Sequence, residues 1–314
     1  MNHFHSSEAD SQKSDSRKSR FPIVDAHQHF WDIDRNYHPW LRDEPPVPFR
    51  YGDYRAIRRR YLPADYFADA APHQVVKTVY VEAEWDPADP IGETQYIGSL
   101  RDETGFPTVM VAQAWLDRDD IASILERQSS FDFVRSIRHK PRANSSAAGG
   151  APGGMTDARW RAGYARLAPA GLRFDLQTPW WHLQEAAELA RAFPDTTIIL
   201  NHTGLPSDRS PAALEAWKDA ITTFADCPNV MIKISGLGQP GQAWTVAANR
   251  DIVLTAIETF GVERSMFASN FPVDGLCATF DTIYCGFRAI VADFPDPEQR
   301  ALFHDNAVRI YAME

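Results

Sequence analysis

The stretch Ile23-Val-Asp-Ala-His-Gln-His-Phe-Trp31 decides the fold. It opens on a β-branched apolar run, which predicts a strand over Ile23–Phe30. A doubly wound nucleotide-binding sheet would follow its first strand with a Gly-rich phosphate turn. Here the strand ends in two histidines and two aromatic residues instead. Seven further runs of the same kind follow, at Val75–Glu84, Thr108–Trp115, Val134–Lys140, Leu172–Thr178, Thr197–His202, Val230–Ser235 and Ser265–Asn270. Segments of helical periodicity separate most of them, clearest at Leu183–Phe193, Ala212–Ala225 and Arg250–Phe260. Eight strand–helix units predict an α/β fold closed into a (β/α)8 TIM barrel over residues 21–314, with a last helix near Pro297–Tyr311 packed outside.

The C-terminal strand ends of such a barrel form its active face. The expected strands end in polar or ionisable residues, and each becomes a candidate. Asp25, His27 and His29 close the first strand and, by alternation, share one face. Glu82 and Glu84 close the second, Gln113 falls late in the third, and Arg138 closes the fourth with His139 on the opposite face. Asp175 and Gln177 end the fifth, Asn201 and His202 the sixth, Lys233 and Ser235 the seventh, and Ser269 and Asn270 the eighth. A lysine inside a barrel needs a partner, and Asp175 is the natural one for Lys233. That pair reads equally as an internal brace or as part of the chemistry. His-x-His at a strand end can put two imidazoles on one ion or one substrate atom. Long segments after the strands, at Asp32–Leu62, Ala143–Gly154 and Gly236–Ala248, have the length of lids or binding loops. Trp244 in the last of these is a candidate substrate contact.

The 314 residues, 44% of them hydrophobic, can bury one full core. A formal net charge of −10 argues against a broad nucleic-acid footprint, and no apolar run is long enough to cross a bilayer. Cys227, Cys277 and Cys285 form no CxxC pair, which fits a reducing, cytoplasmic setting. Residues 1–20 are rich in Ser, Asp, Lys and Arg, and are expected to form a disordered tail.

Six stretches together resemble the amidohydrolase-related superfamily, in particular its TIM-barrel lactonase branch. They are Val24-Asp-Ala-His-Gln-His-Phe-Trp31, Val81-Glu-Ala-Glu84, Ile137-Arg-His139, Asn201-His-Thr-Gly-Leu-Pro206, Lys233-Ile-Ser-Gly236 and Met266-Phe-Ala-Ser-Asn-Phe-Pro-Val-Asp274. The resemblance implies that His27 and His29 bind metal or polarise the scissile carbonyl, and that His202 is the strand-6 histidine, a third candidate for the metal. Two departures stand out. The strand-8 aspartate that usually activates water is Asn270, which cannot act as a general base. The strand-5 histidine of binuclear members is replaced by Asp175 and Gln177. One divalent ion, zinc or manganese, or none, is therefore expected, with no organic cofactor.

The expected reaction is water attack on the carbonyl of a lactone or related cyclic ester. His27, His29 and Asn270 lie at the reacting centre, and Asp274 is the first candidate for the base, with His202 the second. Arg138, Glu84, Gln113, Lys233 and Trp244 are expected to contact an anionic or sugar-like small molecule. A metal-dependent decarboxylase of a small organic acid is the first alternative, and a barrel that binds a small acid without catalysis is the second. No nucleic-acid or membrane partner is expected; a homo-oligomer is compatible with the sequence.

Overall fold

The computed structural model describes residues 21–314, so the expected tail lies outside the described residues. Eight parallel strands form one sheet in sequential order. They are β1 (Ile23–Gln28), β2 (Val75–Val81), β3 (Val109–Gln113), β4 (Val134–Arg138), β5 (Arg173–Leu176), β6 (Ile198–Leu200), β7 (Val230–Ile234) and β8 (Ser265–Phe267). One helix follows each strand: α1 (Pro63–Ala70), α2 (Gly92–Thr104), α3 (Ile121–Ser129), α4 (Ala158–Tyr164), α5 (Leu183–Ala192), α6 (Pro211–Ala225), α7 (Val246–Phe260) and α8 (Phe280–Ile290). All eight expected strands are present, each ending two or three residues earlier than the apolar run suggests, apart from β7, which stops one short.

Local chemistry sets the helix ends. Asp157, Ser210, Thr245 and Thr279 each accept a backbone N–H in the first turn of α4, α6, α7 and α8, satisfying donors that a helix start leaves unpaired. Gly105 and Gly261, both at positive φ, stop α2 and α7. The C-terminal segment is helical from Asp296 to Ile310, with a π turn at Ala301–Asp305.

Two apolar layers result. The larger lies between the sheet and the helices and includes Ile137, Phe174, Leu200, Ile232 and Phe287. The smaller fills the barrel with Val24, Ala26, Val79, Val81, Val111 and Ile199, and the C-terminal segment adds Ile310, Tyr311 and Met313 to it. Among these side chains Lys233 Nζ meets Asp175 Oδ1 at 2.6 Å, both residues fully buried. Ser136, Asn201 and Tyr311 also donate to Asp175. Lys233 is thus an internal brace beneath the mouth, and the expected substrate contact is corrected: its ammonium is committed to Asp175 and lies over the Tyr311 ring.

The seam between β8 and β1 closes beyond the end of β8. Asn270 N–H donates to His27 O and His29 N–H donates to Phe271 O, both at 2.8 Å. Asp25 completes this seam by accepting from Ser269 N, Ser269 Oγ and Tyr66 Oη. Since Tyr66 belongs to α1, Asp25 faces the helices while Ala26 faces the barrel interior. The expected shared face of Asp25 with His27 and His29 is therefore corrected. The pairing register shifts between Asp25 and Gln28, and that irregularity re-aims the chain so that both histidines reach the mouth.

Candidate active site at the barrel mouth

Five non-glycine residues at the strand ends hold positive φ: Glu84, His202, Thr203, Leu205 and Asn270. Such backbone is costly for residues with a Cβ and is retained where the surroundings force it, typically at functional sites. Here it ends β2, β6 and β8 and turns their last side chains over the barrel.

His29, His202 and Asn270 line a cavity of about 370 Å³ together with Arg50, Arg138 and Lys140. His27 touches both other histidines, with ring centroids 4.9 Å from His29 and 4.6 Å from His202. The Nε2 atoms of His27 and His29 are 3.2 Å apart. His29 Nδ1 lies 2.7 Å from the carbonyl of Val81, which can only accept, so that nitrogen carries the proton. Burial, then the charge of Arg138, pushes the His29 pKa down to about 3. His29 is therefore neutral and presents a lone pair at Nε2. Asn270 is fixed in turn, because its Nδ2 donates to Asp274 Oδ1 at 2.6 Å and so points its Oδ1 to within 3.4 Å of His29 Nε2. Two acceptor atoms thus face each other, with His27 Nε2 beside them.

That corner fits a cation. Two nitrogens bound to one tetrahedral zinc at ~2.0–2.1 Å stand roughly 3.3 Å apart. His27 and His29 match that spacing, and Asn270 Oδ1 offers a neutral oxygen. Val81 orients His29 as a second-layer partner would; His27 Nδ1 is buried without such a partner. Among the described residues, the cluster of three His, Cys, Asp or Glu ligand atoms is elsewhere, at His73, Asp281 and Cys285. At the mouth the ligand atoms on offer are two imidazole nitrogens and one amide oxygen.

His202 is also held well below the usual imidazole range, by burial first and by the Arg50 charge next. Its Nδ1 lies 2.9 Å from Ser235 Oγ. Gly236 backs this ring: φ is +66°, and a Cβ there would come within 2.9 Å of His202. Asp274 accepts from Tyr51 Oη at 2.8 Å, from Asn270 Nδ2 and from Gly236 N–H at 3.0 Å. It is only 2% exposed and is not among the residues that line the cavity. Burial raises its pKa despite the nearby Arg50. Asp274 does fold back onto Asn270, but these contacts correct its expected place as the first candidate base, because its oxygens are engaged by the protein.

The remaining candidates divide. Arg138 lines the cavity, but its fork is closed on Glu82 and on Gln177 Oε1, the first through Nε at 2.5 Å and the second through Nη1 at 3.0 Å. Nη2 is engaged by the Glu82 carbonyl, so three of the five guanidinium N–H groups are held by the protein and two remain for a substrate. Glu84 pairs with Lys140 at the rim. Gln113 lines an adjoining cavity. Trp244 is corrected: its indole packs against Gly286 and Phe287 of α8, in the layer between sheet and helices. Arg50, Tyr51 and Ser235 complete the site. Ser235 is one of the expected polar strand ends, whereas Arg50 and Tyr51 lie in the long Asp32–Leu62 segment, where no pattern marks them.

The amidohydrolase family model matches residues 24–313. The chain is 42% identical to the uncharacterised protein y4mH of Sinorhizobium fredii, over 93% of this chain and 99% of that protein. It is 28% identical to an L-fucono-1,5-lactonase of Burkholderia ambifaria, over 93% of this chain and 96% of that enzyme. Its fold superposes on the crystal structure of an amidohydrolase from Burkholderia multivorans with bound zinc, with a TM-score of 0.77 and 22% identity, covering 94% of this chain and all of the other. With the family model spanning the whole barrel, the chain belongs to the amidohydrolase family and is a hydrolytic enzyme.

Proposed function

We propose that this hydrolase opens the ring of a small hydroxylated or carboxylated lactone by adding water to its carbonyl carbon. The observation that carries the reading is the trio His27, His29 and His202, buried and neutral, at a cavity rimmed by Arg50, Arg138 and Lys140. The volume suits a small ring. The lactonase that this chain resembles along nearly its whole length supports the same chemistry.

His27 and His29 would hold one divalent ion through Nε2, with Asn270 Oδ1 beside it. Such an ion, when bound, supplies Lewis-acid polarisation of the carbonyl and acidifies water. The protein's own part is positional and protolytic. With the proton of His202 on Nδ1 toward Ser235, Nε2 is left as an acceptor on the cavity. There it takes a proton from the water as the new C–O bond forms. The ring C–O bond then breaks, and the same proton passes to the leaving ring oxygen, giving the hydroxy acid. Arg50 and the two N–H groups left on Arg138 face the acid or hydroxyl groups of the substrate. Asp274 positions Asn270 and acts through it.

The test is release of acid from a panel of aldonolactones, with carbon dioxide release from a panel of hydroxybenzoic and other small organic acids followed in parallel. Acid released one-for-one with lactone consumed supports the reading. Carbon dioxide release would assign a decarboxylase instead, and thermal stabilisation by the lactones without turnover would assign a binder.

A further inference from the structure

Beside the histidine cavity lies a second one, of about 510 Å³, which shares Trp40, Val47, Glu84, Arg138 and Lys140 with the first. The two therefore adjoin, with the Glu84–Lys140 ion pair and Arg138 lining both. Hydrolysis at the histidines does not use the second space.

Its walls set apolar groups beside charged ones, Glu82, Glu84, Arg138 and Lys140 among them. Trp40, Trp85 and Trp115 supply ring faces, and Pro39, Pro45 and Pro87 supply flat aliphatic ones. Trp115 is 41% exposed and Val47 is 49% exposed, two of the four large apolar side chains left open to solvent among the described residues. Trp115 is held in place by parallel stacking on His139, at an interplanar angle of 4°. Large exposed apolar groups gathered at one cavity mark a surface awaiting a ligand.

One polar group at this cavity stands apart. Gln113 is 4% exposed and lines it, and its Oε1 is buried without a hydrogen-bond partner. An unpaired buried amide is destabilising unless something else satisfies it. A ligand hydroxyl can do so, because it both donates and accepts.

We infer that the second cavity is a subsite for another ring of the substrate, so that the preferred lactone carries a flat-faced six-membered ring with at least one hydroxyl. This rests on the lactonase reading. Indole faces stack on the carbon face of a sugar or on an aromatic ring alike, and Gln113 meets the hydroxyl of either. The shared chemistry is a hydroxylated ring, with a glycosyl or a hydroxyphenyl group as its source.

The experiment compares kcat/KM of the full-length enzyme, supplied with zinc or manganese, on four lactones. Glucono-1,5-lactone is the bare ring, lactobiono-1,5-lactone adds a galactosyl ring, and a γ-butyrolactone bearing a 4-hydroxyphenyl group is compared with unsubstituted γ-butyrolactone. The inference predicts a preference for one extended lactone over its bare counterpart, and which one identifies the ring. Trp115→Ala and Gln113→Leu should each cut that preference by about tenfold. Equal kcat/KM for bare and extended lactones, or a preference untouched by both substitutions, overturns it. A binding measurement separates this result from the lactonase reading. Lactobionate or 4-(4-hydroxyphenyl)-4-hydroxybutyrate binding more tightly than its counterpart without the ring, and losing that advantage in Trp115→Ala, upholds the subsite even if no lactone is opened.

Discussion

Asn270 shows how one residue changes the logic of the site. An aspartate at this place would compete with Asp274 for the same hydrogen bond, since Asn270 Nδ2 donates to Asp274 Oδ1 at 2.6 Å. Asn270→Asp would set two carboxylates in contact, which cannot both be ionised without cost. One of the pair then keeps its proton to a pH well above its unfolded value. Stability contributed by that proton is present at low pH and lost as pH rises. Thermal melts of the variant should therefore match the parent near pH 4 and fall behind by about 2–4 kcal/mol at pH 8. Equal stability at both pH values would mean that the amide is not needed to face Asp274. At the same scale, His202→Ala should lower kcat by at least about a hundredfold while leaving the fold intact, as expected for loss of a general base.

The two histidines of β1 were legible in the sequence because they end a strong β-branched run, and His202 because a Gly-Leu-Pro turn follows it. Asp25 was misplaced for a physical reason. Strict alternation assumes regular pairing, and the register shift between Asp25 and Gln28 breaks it. Trp244 was misplaced because an aromatic residue in a loop carries no periodicity to say which layer it joins. Arg50 and Tyr51 could not be read at all, since only the path of the long first loop brings them over β7 and β8.

At the scale of elements, the strands are held at their mouth ends by buried polar groups. Glu93 at the start of α2 accepts from Tyr80 Oη at 2.7 Å and from Ala83 N–H at 2.6 Å, which pins the end of β2. Burial, then the neighbouring Glu82, pushes its pKa up to about 8, with Arg138 acting in the opposite sense. In the unfolded chain it ionises near 4.5. The sign follows: the unfolded state loses its proton first, so stability due to Glu93 is present below about pH 4.5 and lost as pH rises through about 8. Glu93→Gln mimics the protonated acid. It should leave stability near pH 5 almost unchanged and exceed the parent by about 2 kcal/mol at pH 9, read from urea unfolding. A variant weaker than the parent at pH 9 would contradict the assignment. The Lys233–Asp175 brace makes a second prediction for the barrel elements. Lys233→Met strands a buried carboxylate and should destabilise by about 3–5 kcal/mol, with Asp175→Asn in the same chain restoring part of it.

At the scale of the whole molecule, the division of labour is that of a TIM barrel with its chemistry at one end. The closed β8–β1 seam and the C-terminal segment under the barrel fix the frame, and the long first loop and the ends of β1, β2, β4, β6, β7 and β8 carry the groups of the site. The order and number of units were legible because apolar periodicity is a local signal repeated eight times. The electrophilic corner was legible only in part: His27 and His29 could be named, but the proton positions that make it a pair of facing acceptors depend on Val81, far from His29 in the chain, and on the turn that folds Asp274 back onto Asn270.

The measurement that tests this account most directly is the rate of acid release from aldonolactones by the purified enzyme and by His29→Ala, each before and after chelation and after zinc or manganese is restored. The account predicts ring opening by the parent, suppressed on chelation and regained with metal, and a loss of at least about a hundredfold in His29→Ala that metal does not repair. Undiminished lactone hydrolysis by His29→Ala would contradict it.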